Sequence, residues 1–204
     1  MSKSVTLNLL LEGAIIMKVV CDHCGAKVPK YEIIISPEDG KRHCLNCFNK
    51  KISQELGIDF ETVNFNPITL EDSYGEKHTF HFRSLLVPTG KLIEAFELKD
   101  GEPGGYMSGV LDGFSCDIND LKIKLLNRLQ GLMKHKSLKM LHGNWTLIYP
   151  GIIRGRIEYG FGEKDSPFII IDGKYFTWDE FGRMITSYEG WQFRLKIVDK
   201  TDKD

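Results

Sequence analysis

Hydrophobic positions along this chain change their period several times, and each change marks an element. His78-Thr79-Phe80-His81-Phe82-Arg83 alternates with period two. That puts Phe80 and Phe82 on one face of a strand and Thr79, His81 and Arg83 on the other. Ser73-Tyr74-Gly75-Glu76 supplies the turn ahead of it. Residues 91–98 and 106–111 read as further strands, separated by the turn-rich Asp100-Gly101-Glu102-Pro103-Gly104-Gly105, and together they predict a meander. The period then lengthens to that of a helix. Asp117 stands as its cap, with Ile118, Leu121, Leu125, Leu129 and Leu132 on one stripe. Phe168 to Ile171 reads as a buried strand turned by Asp172-Gly173. Thr177-Trp178-Asp179-Glu180 is a capping box opening a helix whose Trp178, Phe181, Ile185 and Tyr188 are expected to face inward. Gly190 ends that helix, and Trp191, Phe193, Leu195 and Ile197 alternate as a final strand. Strands, helix, strand, helix and strand predict an α+β domain over residues 67–198 with a meander and two main helices. Residues 58–66 read as a linker ahead of it and 199–204 as a charged tail.

Residues 17–57 follow a different logic. Two pairs, Cys21-Asp22-His23-Cys24 and Cys44-Leu45-Asn46-Cys47, are separated by nineteen residues. In each pair the two intervening residues let the backbone form a tight knuckle with both sulfurs on one side. Two knuckles complete the tetrahedral shell of a Zn2+ ion, which has no d-electron preference against that arrangement. Gly25 is free to take the positive φ that turns the chain away from the metal. Iron fits the same donor geometry and is the minor alternative. A disulfide framework is a poor match for five cysteines, an odd count. His23 and His43 flank the sulfurs but read as neighbours, since four thiolates already suffice. Lys18, Lys27, Lys41 and Arg42 offset the two net negative charges of a four-thiolate zinc. With no ligand position open for water, the metal is expected to be structural. A module of this size cannot bury enough apolar surface alone, so metal binding decides its folding.

Between the pairs, Tyr31 to Ile35 reads as a strand and Pro37-Glu38-Asp39-Gly40 as a turn. After the second pair, Leu45, Phe48, Ile52 and Leu56 fall on one helical stripe, stopped at Gly57. A knuckle, a hairpin and a second knuckle opening a helix resemble the treble-clef class of zinc finger. A plain zinc ribbon is the alternative if the segment after Cys47 is extended. Farther on, Ile170-Ile171-Asp172-Gly173-Lys174-Tyr175-Phe176-Thr177-Trp178-Asp179-Glu180-Phe181-Gly182 through Glu189-Gly190-Trp191-Gln192-Phe193 resembles uncharacterised prokaryotic proteins with a similar C-terminal domain of unknown function. Some of these carry a cysteine-rich segment ahead of it. The resemblance spans residues 67–198, implies a bacterial, cytoplasmic protein, and brings no activity and no site.

The opening sixteen residues stand apart. Asn8 and Glu12 interrupt their apolar run, which is too short to span a membrane. Met17-Lys18-Val19-Val20-Cys21 is a natural start for a zinc module. Residues 1–16 are therefore expected to be an extension ahead of the true start, or else an extra strand or frayed tail.

Charge changes the picture next. The chain sums to −1, which argues against bulk nucleic-acid binding. That total hides segregation. Residues 121–157 hold no acid, while Lys122, Lys124, Arg128, Lys134, Lys136, Lys139, Arg154 and Arg156 give eight positive charges. Residues 58–120 hold twelve acids against four bases. The basic stretch is a candidate nucleic-acid contact, with Trp145 and Tyr149 as stacking faces. The favoured reading is internal: the acidic meander packs against the basic helix, and Lys134, His135 and Lys136 suit that helix's C-terminal dipole.

Catalytic candidates are sparse. Cys116 precedes a helix, where the dipole lowers a thiol pKa, and His78 or His81 are candidate bases. Asp179 and Glu180 are accounted for by the capping box. No Walker loop, nucleophile elbow or His-Glu-x-x-His stands in the chain, and Gly104-Gly105 and Gly160-Phe161-Gly162 read as turns. Two functional classes stay open. One is a zinc-binding, non-enzymatic adaptor or regulator that grips a protein or nucleic acid, with no membrane and no small-molecule cofactor. The other is a small enzyme with a site near His78, His81, Arg83 and Cys116.

Overall fold

The computed structural model describes residues 10–11, 14–148, 152–159, 166–199 and 201. Tyr149, Gly160-Phe161-Gly162 and most of the charged tail lie outside the described residues, as do residues 1–9 and 12–13 of the expected extension. Within that extension β1 (Leu10–Leu11) pairs with β2 (Ala14–Ile15).

β3 (Lys18–Val20) and β4 (Lys27–Pro29) form the first hairpin of the cysteine module. A 3-10 turn over Lys30–Glu32 follows, so the strand expected from Tyr31 begins only at Ile33. That strand, β5 (Ile33–Ile35), pairs with β6 (Arg42–Cys44) around a turn that Gly40 closes at φ 67. α1 (Leu45–Leu56) then opens at the second cysteine pair. Gly57 stops it in the left-handed conformation, its N–H bonded to carbonyls of the last turn. The segment after Cys47 is thus helical, as the stripe predicts.

β7 (Ile68–Glu71), β8 (Lys77–Val87), β9 (Gly90–Lys99) and β10 (Glu102–Asp112) are the meander, an antiparallel sheet in sequence order with one bulge between Gly104 and Met107. α2 (Ile118–Lys134) has Asp117 as its cap, accepting the Asn119 N–H. Leu121, Leu125, Leu129 and Met133 are its buried stripe and pack on Phe80, Phe82, Ile93 and Ala95. Met133 takes the place expected of Leu132, which is half-buried beside it.

The cysteine module covers the other face of that sheet. Leu45 of α1 packs with Leu85 and Leu92, flanked by Ile34 and Phe48. Sheet residues between two covers lose their polar alternation, and Leu85 and Leu86 are both buried. Asn49 pins the contact. It donates to the Ser84 carbonyl at 3.0 Å and the Thr62 hydroxyl at 2.9 Å, and accepts the Leu86 N–H at 2.9 Å. Asn49→Leu strands two buried backbone groups. It is expected to cost about 2–3 kcal/mol, read as a lower urea midpoint at unchanged m value.

The remainder builds a second, smaller core. β11 (Leu138–Leu141) pairs with β12 (Asn144–Leu147), and β13 (Gly155–Glu158), β14 (Phe168–Ile171) and β15 (Lys174–Phe176) form a three-stranded sheet. α3 (Trp178–Ile185) carries the complete Thr177–Glu180 capping box. Leu138, Leu147, Ile169, Ile171 and Phe176 are buried together, with Phe181, Met184 and Tyr188 against them.

Two expectations fail in this region. Trp178 and Ile185 are exposed, since the short α3 meets its small sheet along only one line, through Phe181 and Met184. Residues 191–198 form no strand and join none of the described sheets, leaving Trp191, Phe193, Leu195 and Ile197 exposed. Alternation makes a segment able to be a strand; it cannot supply the neighbouring edge. Taken whole, this is a mixed α/β chain whose described strand pairings are all antiparallel. No described helix is long and apolar enough to cross a membrane.

Candidate metal centre

Four sulfurs converge where β3, β6 and α1 meet. Cys21 follows β3 and starts the first knuckle: its N–H bonds the Ala26 carbonyl at 2.9 Å, and the Gly25 N–H bonds back to the Cys21 carbonyl at 3.0 Å. Gly25 sits at φ 73, as the turn requires. Cys44 ends β6 and is the N-cap residue of α1, which places Cys47 in the first helical turn. The ligand atoms of Cys21, Cys24, Cys44 and Cys47 all lie within 4.8 Å of one another. None is in a disulfide. Cys24 Sγ and Cys44 Sγ are 3.8 Å apart. A tetrahedron with metal–sulfur bonds of about 2.3 Å has an edge of about 3.8 Å, so the cluster already has the dimensions of a four-thiolate metal shell.

The electrostatics of the cluster suit a cation. Burial works against ionising Cys21, yet backbone N–H groups of Cys24, Cys44 and His23 outweigh it and bring that thiol down to about 6. The Cys44 N–H, 3.2 Å from Cys21 Sγ, is one of these donors. Burial and the neighbouring sulfurs push Cys44 and Cys47 up instead. Thiolates packed this closely repel one another, and a bound dication removes the conflict. Outside the cluster, Arg42 is committed to Asp22 by a side-chain pair at 2.6 Å, which ties the first knuckle to β6. His23 and His43 stack loosely on each other, with ring centroids 6.1 Å apart. Cys24, Cys44 and Cys47 also border a cleft of about 330 Å³, a route by which an ion reaches the sulfurs.

The residues proposed from sequence as an enzyme site do not meet. β8 points His78 toward the α2 side of the sheet, while His81 and Arg83 face the cysteine module. There His81 lies against Tyr31 and Phe96, and Arg83 pairs with Glu94 and donates to the Tyr31 carbonyl. Cys116 precedes α2, whose seventeen residues span about 25 Å and end near His78. Burial raises the Cys116 thiol, against the lowering expected from the helix terminus.

The eight basic residues are likewise dispersed. Lys122 lies over the rings of Phe65 and Phe82, Lys124 pairs with Asp112, and Arg128 donates to the Gly109 carbonyl. Arg156 pairs with Glu158. Lys136 is buried, which removes it as a phosphate contact. Lys134, Lys139 and Arg154 are exposed. Trp145 packs against the second core with Lys174 over its ring.

Lys136 leads to a cluster that sequence reasoning missed. Its ammonium pairs with Asp72 and donates to Tyr106 Oη at 2.8 Å. His78 bridges two carboxylates, with Nδ1 2.9 Å from Glu97 and Nε2 3.2 Å from Asp72. Glu97 also accepts the Tyr106 N–H, and Asp72 accepts the N–H groups of Tyr74 and Glu76. Asp72, Glu76 and His78 are close enough to share an ion, but the Lys136 ammonium already occupies the cation's place on Asp72. These charges are scattered along the sequence with no motif, so only the fold collects them.

Fold and centre together define a class: a module with a four-cysteine cluster that could hold a metal ion, docked on a larger mixed α/β body. Comparison with family profiles adds that residues 20–59, 61–134 and 137–202 match three domains of unknown function, DUF7685, DUF7686 and DUF7713 respectively. The first contains all four cysteines, and Lys136 lies between the second and third. Searches of curated proteins and of solved structures found no match.

Proposed function

We propose that residues 17–57 form a treble-clef-like zinc finger that holds Zn2+ through Cys21, Cys24, Cys44 and Cys47, and that the chain is a cytoplasmic, non-enzymatic adaptor or regulator acting on another protein. The observation behind the metal reading is the four-sulfur cluster of tetrahedral size at the start of a helix. Four thiolates leave zinc no place for a reacting water, so the ion's work is to hold the two knuckles and orient α1. Thiolate ligands suit a reducing compartment, which is the support for a cytoplasmic setting.

Surface composition supports the adaptor reading. Large exposed apolar side chains gather between Met140 and Val198, among them Ile152, Tyr159, Trp178 and Phe193, whereas the central sheet is covered on both faces. Exposed apolar side chains of this size and number suit a protein partner better than a phosphate backbone. The test uses the zinc-loaded full chain as bait in extract from its native cells, with bound proteins identified and bound nucleic acid sequenced. A stoichiometric protein partner free of nucleic acid is expected. Recovery of neither overturns the adaptor reading, and nucleic acid alone would transfer the role to Lys134, Lys139 and Arg154.

A further inference from the structure

The three-stranded sheet of the second core is unfinished on one side. In its register Ile157 stands opposite Ile169, and Gly155 opposite Ile171. Residues directly opposite share a face, so Ile157 points to the side where Ile169 and Ile171 are buried. Ile157 is nevertheless 52% exposed. β13 is an edge strand among the described residues. An open edge with an apolar flank is a template for one more strand.

Residues 191–197 have the pattern that edge lacks. As a strand the segment would carry Trp191, Phe193, Leu195 and Ile197 on one side, and Gln192, Arg194 and Lys196 on the other. Laid along β13, the apolar side continues the core face past Ile157. The polar side runs with the Arg156–Glu158 pair. Yet in its own chain the segment stays off the sheet, with Phe193 91% exposed and Leu195 and Ile197 each 73% exposed. Gly190, at φ 83 and with open space around it, turns the segment out after the last helical turn.

We propose that residues 191–197 of each chain add as a fourth strand to β13 of a second copy. The argument for a second copy is closure. Every chain has one donor strand and one acceptor edge, so reciprocal exchange makes a two-fold dimer with neither left over. Area agrees: one exchanged arm removes on the order of 1,000 Å² from water on its two sides, and two arms exceed the standard size of a specific interface. This rests on neither the metal nor the adaptor reading.

The test is mass in solution, by sedimentation equilibrium of the full zinc-loaded chain. The natural chain is expected at twice its single-chain mass. Phe193→Asp with Leu195→Asp removes the donor, and Ile157→Asp removes the acceptor. Both variants change exposed positions, and each is expected at half the mass with unchanged circular dichroism and metal content. Mixed, they are expected to re-form a heterodimer through the one intact arm, which general stickiness does not produce. A monomeric natural chain overturns the proposal, including one whose 191–197 amides are protected from hydrogen exchange by folding onto its own sheet. So do a donor variant that stays dimeric and a mixture that stays monomeric.

Discussion

Replacing Cys44 by Ser, or stripping the metal with a strong chelator, is expected to unfold residues 17–57 and to expose one face of the central sheet. Cys44 does three things at once. It contributes a buried sulfur to the cluster, its N–H holds the Cys21 sulfur, and its backbone begins α1. Without the metal, the two short hairpins of the module have too little core to persist. The apparent stabilisation by a structural zinc at neutral pH is about 10–16 kcal/mol, far more than any single contact in the module. The loss should spread through α1, because Leu45 and Asn49 cover β8 and β9. Metal analysis is expected to find one zinc per natural chain and none in Cys44→Ser. Amide exchange should rise across α1 and in β8 near Leu85, while α2 keeps its protection. Cys116→Ser serves as the control and should keep its zinc. A natural chain that purifies without any metal, or a Cys44→Ser chain that retains it fully, would sink the zinc reading.

The second large effect concerns Lys136. Lys136→Met removes the ammonium from Asp72 and leaves a buried carboxylate with His78 as its remaining side-chain partner beside two backbone N–H groups, which is expected to cost about 3–5 kcal/mol. Adding Asp72→Asn should recover part of that loss, because the double variant no longer buries an unpaired charge. The pH dependence has a definite sign. Glu97 above all, and Asp72 with it, raise the His78 pKa despite burial. A raised histidine contributes stability that is full below the unfolded value of about 6.5 and is lost as pH rises through the folded value. The carboxyls run the other way. Burial opposes them, but Lys136 holds Asp72, and His78 holds Glu97, below the usual range. Their contribution is present above about pH 4.5 and is lost in acid. The cluster therefore stabilises most between about pH 4.5 and 6.5. Urea unfolding across pH should show His78→Gln losing its difference from the natural chain on the alkaline side. A cost below about 1 kcal/mol for Lys136→Met would mean that the cluster is solvated and not buried.

Much of the fold was legible where a residue's partners lie close by in sequence. The Gly57 stop, the Asp117 cap and the Thr177–Glu180 box each close bonds over two to four residues, and each stands where the pattern put it. The cysteine pairs are of the same kind, since each knuckle is local and the spacing between the pairs only has to let two knuckles meet. α2 was legible for a related reason: it presents one uniform face to a single large neighbour, whereas β8 kept its alternation only over His78–Arg83, ahead of the part buried on both faces. The failures share the opposite character. Leu132 and Met133 are equally apolar, and only the line of contact with the sheet chose between them. Trp178 and Ile185 belong to a good amphipathic stripe, but the small sheet below α3 is too narrow to cover it. The basic stretch looked like one surface because its residues are neighbours in sequence, yet helix, loop and strand geometry sends Lys122, Lys136 and Arg156 to different partners.

By itself the sequence determined a four-cysteine cluster, a helix opening on it, an antiparallel meander and its helix, because these follow from periodicity and from bonds across a few residues. Only the tertiary structure decided that the cysteine module covers a sheet face, that His78 answers to Asp72, Glu97 and Lys136, and that residues 191–197 stand apart from their own sheet. Those outcomes depend on which surfaces meet across long stretches of chain. The periodicity of a segment records which face is apolar and carries no information about what will cover it.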